Sequence, residues 1–239
     1  AAADRVIEAA TTAVAARGVF HLCTTGGSTP AALYRALREP SRADRMPWAQ
    51  TQIWFGDDRF VPRADALSNV APLDAQLLSA SADGAPSPLS PSAVHPWPTT
   101  AADAPTAVSA YLAELRGAGV PHTPRGFPIF DLVLIGIGGD GHCLSVFPGS
   151  PLALEKAQVA AAVPAPTHIE PHVPRLSFSL GVLASARAVI ALAPGAGKAE
   201  ALARIFNDTT TVADAPAKGA LLPTATWLLD TASAVNLPE

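Results

Sequence analysis

Residues 130–148 read FDLVLIGIGGDGHCLSVFP. The opening run, 130–136, is continuously apolar, which predicts a strand buried on both faces, as in a parallel sheet. Glycines follow it. Gly136, Gly138 and Gly141 fit the dinucleotide-binding pattern G-x-G-x-x-G, but the context is wrong. The helix that pattern should open meets Pro148 seven residues after Gly141, with Pro151 close behind, and no acidic residue ends a second strand at the required distance. A histidine, His142, directly follows the last glycine, two residues after Asp140. Imidazole titrates near neutral pH, so a histidine on a strand-end loop beside a carboxylate is a candidate general base.

On either side of this block, strand and helix patterns alternate. Helical periodicity covers 4–17, and Gly18 is placed to end that helix. A strand is expected at 19–24 and a glycine-bearing turn at 25–30. Thr29 as N-cap and Pro30 at the first position would then open a helix through 38. A strand at 51–55, a charged loop at 56–66 and a helix at 68–78 come next. The Ser-, Pro- and Ala-rich stretch 79–105 reads as a surface excursion, because the same rhythm resumes with a helix at 103–116. Further strands are expected at 158–163, 176–179, 188–193 and 225–229, with a helix at 197–206 after the Pro194-Gly195-Ala196 turn. The alternation predicts one domain over 1–239, a three-layer α/β/α sandwich around a mostly parallel sheet. Ligands of such sheets bind beyond the carboxyl ends of the strands.

Three other sequence features fall at those ends. Gly26-Gly27-Ser28-Thr29 lies between a strand and a helix, where unpaired backbone N–H groups favour a phosphate; the Walker lysine is missing. Asp57, Asp58 and Arg59 follow the 51–55 strand. Arg175 opens the strand RLSFS, and Lys198 stands at a helix start, where the dipole disfavours a cation.

Composition removes several classes. The chain has 239 residues, 49% hydrophobic and 15% charged, with a formal net charge of −4. That is not the basic surface of a general nucleic-acid binder. No apolar run approaches the roughly 20 residues of a membrane span, and Ala1-Ala2-Ala3-Asp4 does not resemble a signal peptide. The two cysteines, Cys23 and Cys143, form no CxxC pair, which fits free thiols in a cytoplasmic protein. No G-x-S-x-G elbow and no HExxH is present. His168 and His172 are four apart, but Pro171 between them breaks any helix on which they would pair on zinc.

Taken together, the blocks LCTTGGSTPAALYRAL, WFGDDRFVP followed by Ser68-Asn69, FDLVLIGIGGDGHCLSVFPGSPL, RLSFSLGVLASARAVIALAPGAGKAEAL and TWLLD resemble the 6-phosphogluconolactonase family, in its order and across nearly the whole chain. The resemblance implies the α/β sandwich shared with glucosamine-6-phosphate deaminases and ribose-5-phosphate isomerases. It implies hydrolysis of 6-phospho-D-glucono-1,5-lactone in the oxidative pentose phosphate pathway. His142 falls on the family's catalytic histidine, with Asp140 and Arg59 as further catalytic candidates. Gly26, Gly27, Ser28, Thr29, Asp57, Arg59, Gly141, Arg175 and Lys198 are the candidates for substrate contact. Either Asp140 or Asp57 would orient the imidazole. No metal, cofactor, nucleic acid, membrane or obligate protein partner is expected.

There are departures. Cys143 stands where threonine is usual, Ala66-Leu67 precede Ser68-Asn69 where an acidic residue is usual, and the family's first strand normally precedes the opening helix. A deaminase is the nearest rival. Its pattern has a glutamate where Phe147 stands and a tyrosine where Arg59 stands, and both changes favour the lactonase. A non-catalytic sugar-phosphate binder is the rival from another class; retention of His142 and the three cations argues against it.

Overall fold

The structure is a computed structural model describing residues 1–239 except 81–83, 85, 155–156 and 238–239, together with the side chain of Ser28. Its helices among the described residues are α1 (Ala2–Arg17), α2 (Ser28–Arg38), α3 (Pro40–Ala43), α4 (Ala71–Leu73), α5 (Ala104–Gly117), α6 (Gly181–Ser185) and α7 (Ala199–Ile205). The strands are β1 (Phe20–Thr24), β2 (Thr51–Phe55), β3 (Asp57–Arg59), β4 (Val94–His95), β5 (Leu132–Gly136), β6 (Ala160–Val163), β7 (Arg175–Phe178), β8 (Val189–Leu192) and β9 (Ala225–Leu228). Six of them form a parallel sheet in the order β4-β2-β1-β5-β8-β9.

α1 follows from its composition. Ala3, Val6, Ile7, Ala10 and Ala13 form its buried face, and Gly18, at φ 77°, caps it by donating to Val14 O. β5 is buried from Leu132 to Ile135, as its apolar run predicts. The two faces of the sheet are covered differently. Side chains alternate along β1, so Thr24 and Cys23 point to opposite sides. Thr24 shares a 2.7 Å hydrogen bond with Tyr34 of α2. Trp54, in register with Cys23, meets Tyr111 of α5 edge-on at 6.0 Å, and Tyr111 in turn meets Phe178 of β7 at 5.9 Å. α2 therefore lies on one face, and α5 with β7 on the other, which makes the mostly parallel sheet the middle layer.

Some expected elements are corrected. The segment after β2 is not simply a charged loop. Asp57–Arg59 is β3, which pairs antiparallel with β7, and β7 pairs antiparallel with β6, giving a second sheet β3-β7-β6. Aspartate is a poor strand former, and the partner that makes Asp57 and Asp58 extended lies more than a hundred residues away. α2 starts at Ser28 with Gly27 as N-cap, so Thr29 is not the cap and Pro30 sits third in the helix. The helix expected over 68–78 begins only at Ala71 and passes into a π-helical stretch, Asp74–Leu78. The 79–105 excursion contains the short edge strand β4; its residues 81–83 and 85 lie outside the described residues.

The chain leaves β1 first toward β2 and later returns beside it as β5. The carboxyl ends of β1 and β5 are therefore a topological switch point, where a crevice opens.

Candidate active site

A cleft of about 300 Å³ opens at that switch point. Thr25, Gly26, Gly27 and Thr29 bound it after β1, and Gly136 to Gly139 and His142 after β5. Asp57 and Arg59 of β3, Asn69, Leu144, Ile169, Arg175 of β7 and Lys198 complete the wall.

The β5 turn is built around His142. A Cβ on Gly138 would come within 2.0 Å of His142 Nδ1, so only glycine leaves room for the ring. The turn is closed by Gly141 N–H donating to Gly138 O (3.0 Å) and Gly138 N–H to His142 O (2.8 Å). Asp140 Oδ1 accepts from His142 Nδ1 at 2.5 Å and from the His142 backbone N–H at 3.1 Å. Burial works to raise the Asp140 pKa, but the hydrogen bond and charge of His142, with a further bond from His168, outweigh it and hold the carboxyl well below its usual range. Of the two candidate carboxylates, Asp140 is the one that bonds the His142 ring. Asp57 is held elsewhere, by Ser145 Oγ (2.6 Å) and Asn69 Nδ2 (3.3 Å). Leu144, at φ 54°, turns the chain between His142 and Ser145. That left-handed backbone costs a non-glycine residue roughly 1–2 kcal/mol and puts the Leu144 side chain on the cleft wall.

The opposite wall is cationic. Arg175 is only 4% exposed, and its guanidinium donates to Val173 O (3.2 Å) and Pro171 O (2.8 Å). Burial lowers its pKa, and the neighbouring Arg59 guanidinium lowers it further. Arg59 sits opposite it in the β3–β7 register and donates through one guanidinium nitrogen to Leu67 O at 2.6 Å. Its Nε is buried with no hydrogen-bond partner. Among the described residues, no carboxylate lies within 4.0 Å of a cationic atom of Arg59, Arg175 or Lys198. Asp57 and Asp58 act on Arg175 through their charge without bonding to it; guanidiniums with no direct salt bridge, one with an idle N–H, make a site suited to an anion. α2 adds its N-terminus, which has no side-chain cap, so its first backbone N–H groups remain for a ligand. Close approach matters here too: a Cβ on Gly26 would strike Asn69 Oδ1 at 2.0 Å.

Of the expected site residues, Gly26, Gly27, Thr29, Asp57, Arg59, His142, Arg175 and Lys198 come together in the cleft. Asp140 supports His142 from behind, and Gly141 shapes the turn without lining the cleft. Ser28 contributes the first residue of α2; its side chain lies outside the described residues. Asn69, Ser145, Leu144 and Ile169 carried no expected role. Asn69 was legible only as the Ser-Asn pair after the charged segment. Nothing local marked the others.

Asp58 lies beneath this wall, 1% exposed. Burial pushes its pKa from 3.8 up to about 6, against backbone N–H bonds from Asn69 and Arg59 and a bond from Ser68. A raised folded-state pKa favours folding fully below the unfolded value, and that contribution is lost as pH rises through about 6. Asp58→Asn keeps an acceptor for both N–H groups and removes the charge. It should therefore be more stable than the parent at pH 8, by up to roughly 3 kcal/mol, and level with it at about pH 3. Urea melts at the two pH values check this; a variant less stable at pH 8 would refute it.

Fold and cleft together define a class: a wound α/β protein with a histidine–aspartate pair at a cleft that also holds Arg59, Arg175 and Lys198. The chain belongs to the glucosamine-6-phosphate isomerase/6-phosphogluconolactonase family, whose model matches residues 1–228. It is 35% identical to a 6-phosphogluconolactonase of Streptomyces coelicolor, over 100% of this chain and 90% of the relative. It is 33% identical to one of Mycobacterium tuberculosis, over 100% of this chain and 94% of that relative. The solved structure of 6-phosphogluconolactonase from Trypanosoma brucei superposes with a TM-score of 0.81 at 27% identity, over 99% of this chain and 93% of that one. A monomeric glucosamine-6-phosphate deaminase shares the fold, with a TM-score of 0.72 at 20% identity over 97% of this chain and 95% of that one.

Proposed function

We propose that this chain hydrolyses 6-phospho-D-glucono-1,5-lactone to 6-phospho-D-gluconate, the ring-opening step of the oxidative pentose phosphate pathway, as a single catalytic domain in the cytoplasm. The observation that carries the reading is His142, held through Nδ1 by Asp140 in the wall of a cleft that also holds Arg59, Arg175 and Lys198. With the Nδ1 proton committed to the carboxylate, Nε2 is left with its lone pair. It takes a proton from water, and the water oxygen attacks the lactone carbonyl. The cationic wall stabilises the oxyanion that forms. The imidazolium then protonates the ring oxygen as the C–O bond breaks, which restores the neutral base. Arg59, Arg175, Lys198 and the uncapped N-terminus of α2 are the groups suited to the phosphate and the oxyanion.

A deaminase reading is less favoured. Where its pattern has a glutamate, the Phe147 ring packs 4.8 Å from the His142 ring, so that position offers no carboxylate. The test is direct: purified protein and freshly made phosphorylated lactone, with 6-phosphogluconate followed against spontaneous hydrolysis. Product formation well above background is expected. A rate no faster than background would leave a sugar-phosphate binder.

This chemistry needs a base, a water and positive charge, so dialysis against EDTA should leave the rate unchanged, and NAD should not raise the melting temperature. Among the described residues, no group of three or more His, Cys, Asp or Glu could hold a metal ion. His168 bonds to Asp140 and His172 to Pro166 O, so each of the two histidines has a partner of its own. A ligand at 100 times its dissociation constant stabilises by about 2.7 kcal/mol, so NAD binding would be plain in a melt. Loss of activity on chelation, restored by zinc, would overturn the metal-free mechanism.

A further inference from the structure

Asp140 holds two imidazoles. Its Oδ1 accepts from His142 Nδ1 at 2.5 Å, and its Oδ2 lies 3.0 Å from Nε2 of His168. His168 comes from the segment 164–174, between β6 and β7, and its side chain is 49% exposed. The Phe147 ring packs against both imidazoles, with ring centroids 4.8 Å from His142 and 5.6 Å, edge-on, from His168. The same segment puts Ile169 on the cleft wall and gives Pro171 O and Val173 O to Arg175. His168 is thus tied to the proposed base through one carboxylate, on a segment that also fastens the proposed anion site.

Resting on the lactonase reading above, we infer that His168 is a positioning residue that fixes Asp140 against His142 and, by taking up a proton in acid, keeps His142 in its basic form to lower pH. Two effects act in the same direction. A donor on Oδ2 draws electron density from the carboxylate and weakens its hold on a proton at His142. A charged His168 repels a proton on the second imidazole bound to the same carboxylate. Asp140 stays ionised throughout, since its carboxyl is held well below the usual range. Asp57, Arg59 and Lys198 line the same cleft as His142, and further charged groups lie beside the trio. Arg204 of α7 donates to Asp140 O, not to the carboxylate (3.3 Å). Arg175 of β7 lies across Phe147, 5.8 Å from that ring. Glu170 pairs with His172 at 3.1 Å, on the same segment as His168.

The experiment compares the parent with His168→Ala and His168→Gln, the glutamine keeping a donor near the Nε2 position but no titrating charge. The pH dependence of kcat/KM for the phosphorylated lactone is measured, and His142 is titrated by NMR without substrate. The acid limb of kcat/KM and the His142 titration should both move up by roughly 0.5–1 pH unit in the alanine variant, and by less in the glutamine variant. Plateau kcat should fall several-fold for alanine and recover with glutamine, with KM little changed. An acid limb and a His142 titration that superimpose on the parent's, or that move down, would overturn the inference. If the parent itself fails to hydrolyse the lactone, the functional reading falls, while the NMR titration still decides the role of His168.

Discussion

Replacing His142 with asparagine is expected to lower kcat for the phosphorylated lactone by roughly 10²–10⁴, the usual worth of a positioned general base. KM should stay within a few-fold, because the cations and the α2 N-terminus that would bind the substrate are untouched. The fold should tolerate the change. His142 is only half-buried, and the Gly138–Gly141 turn is closed by backbone bonds that do not use the imidazole. Circular dichroism and binding of 6-phosphogluconate would establish that the variant is folded. A folded variant that opens the lactone at near the parent's rate, above spontaneous hydrolysis, would remove His142 from the mechanism.

The second large effect concerns the phosphate. Two or three charge-assisted hydrogen bonds, at about 1.5–3 kcal/mol each, should make kcat/KM for plain gluconolactone lower by roughly 10²–10⁶. Arg59 is the sharpest probe, since its Nε is buried and idle. If Arg59 serves the phosphate, Arg59→Met should forfeit much of the advantage on the phosphorylated substrate and change little on the plain one; an equal loss on both would put Arg59 at the oxyanion. Equal kcat/KM for the two lactones in the parent would count against the anion site.

Much of this architecture is legible in the chain. The 130–136 run announces a strand buried on both faces, and glycines beside His142 mark a strand-end turn; both readings rest on local patterns. What escapes the sequence depends on distant partners. Asp57 and Asp58 look like loop residues until β7 pairs with them. Thr29 looks like a helix cap, yet the helix starts at Ser28 with Gly27 before it. The choice between Asp140 and Asp57 could not be made from spacing, because Ser145 and Asn69 occupy Asp57 from elsewhere in the chain. His168 stands four residues from His172, and Pro171 between them already spoke against a metal pair, but nothing local pointed to its partner, Asp140, which lies 28 residues upstream.

The crevice between β1 and β5 also divides the chain. Gly26, Gly27, Arg59 and Asn69 precede the 79–105 excursion, while His142, Arg175 and Lys198 follow it. A cut in that excursion before β4 would give two fragments, one holding part of the proposed anion site and the other the proposed base, and neither a complete cleft. Within the parallel sheet they would meet at β1–β5 and at β2–β4. Turnover by such a split pair requires the fragments to re-form the β1–β5 seam, so the fold is a ready-made complementation reporter: its catalytic signal reads out the docking of one half on the other.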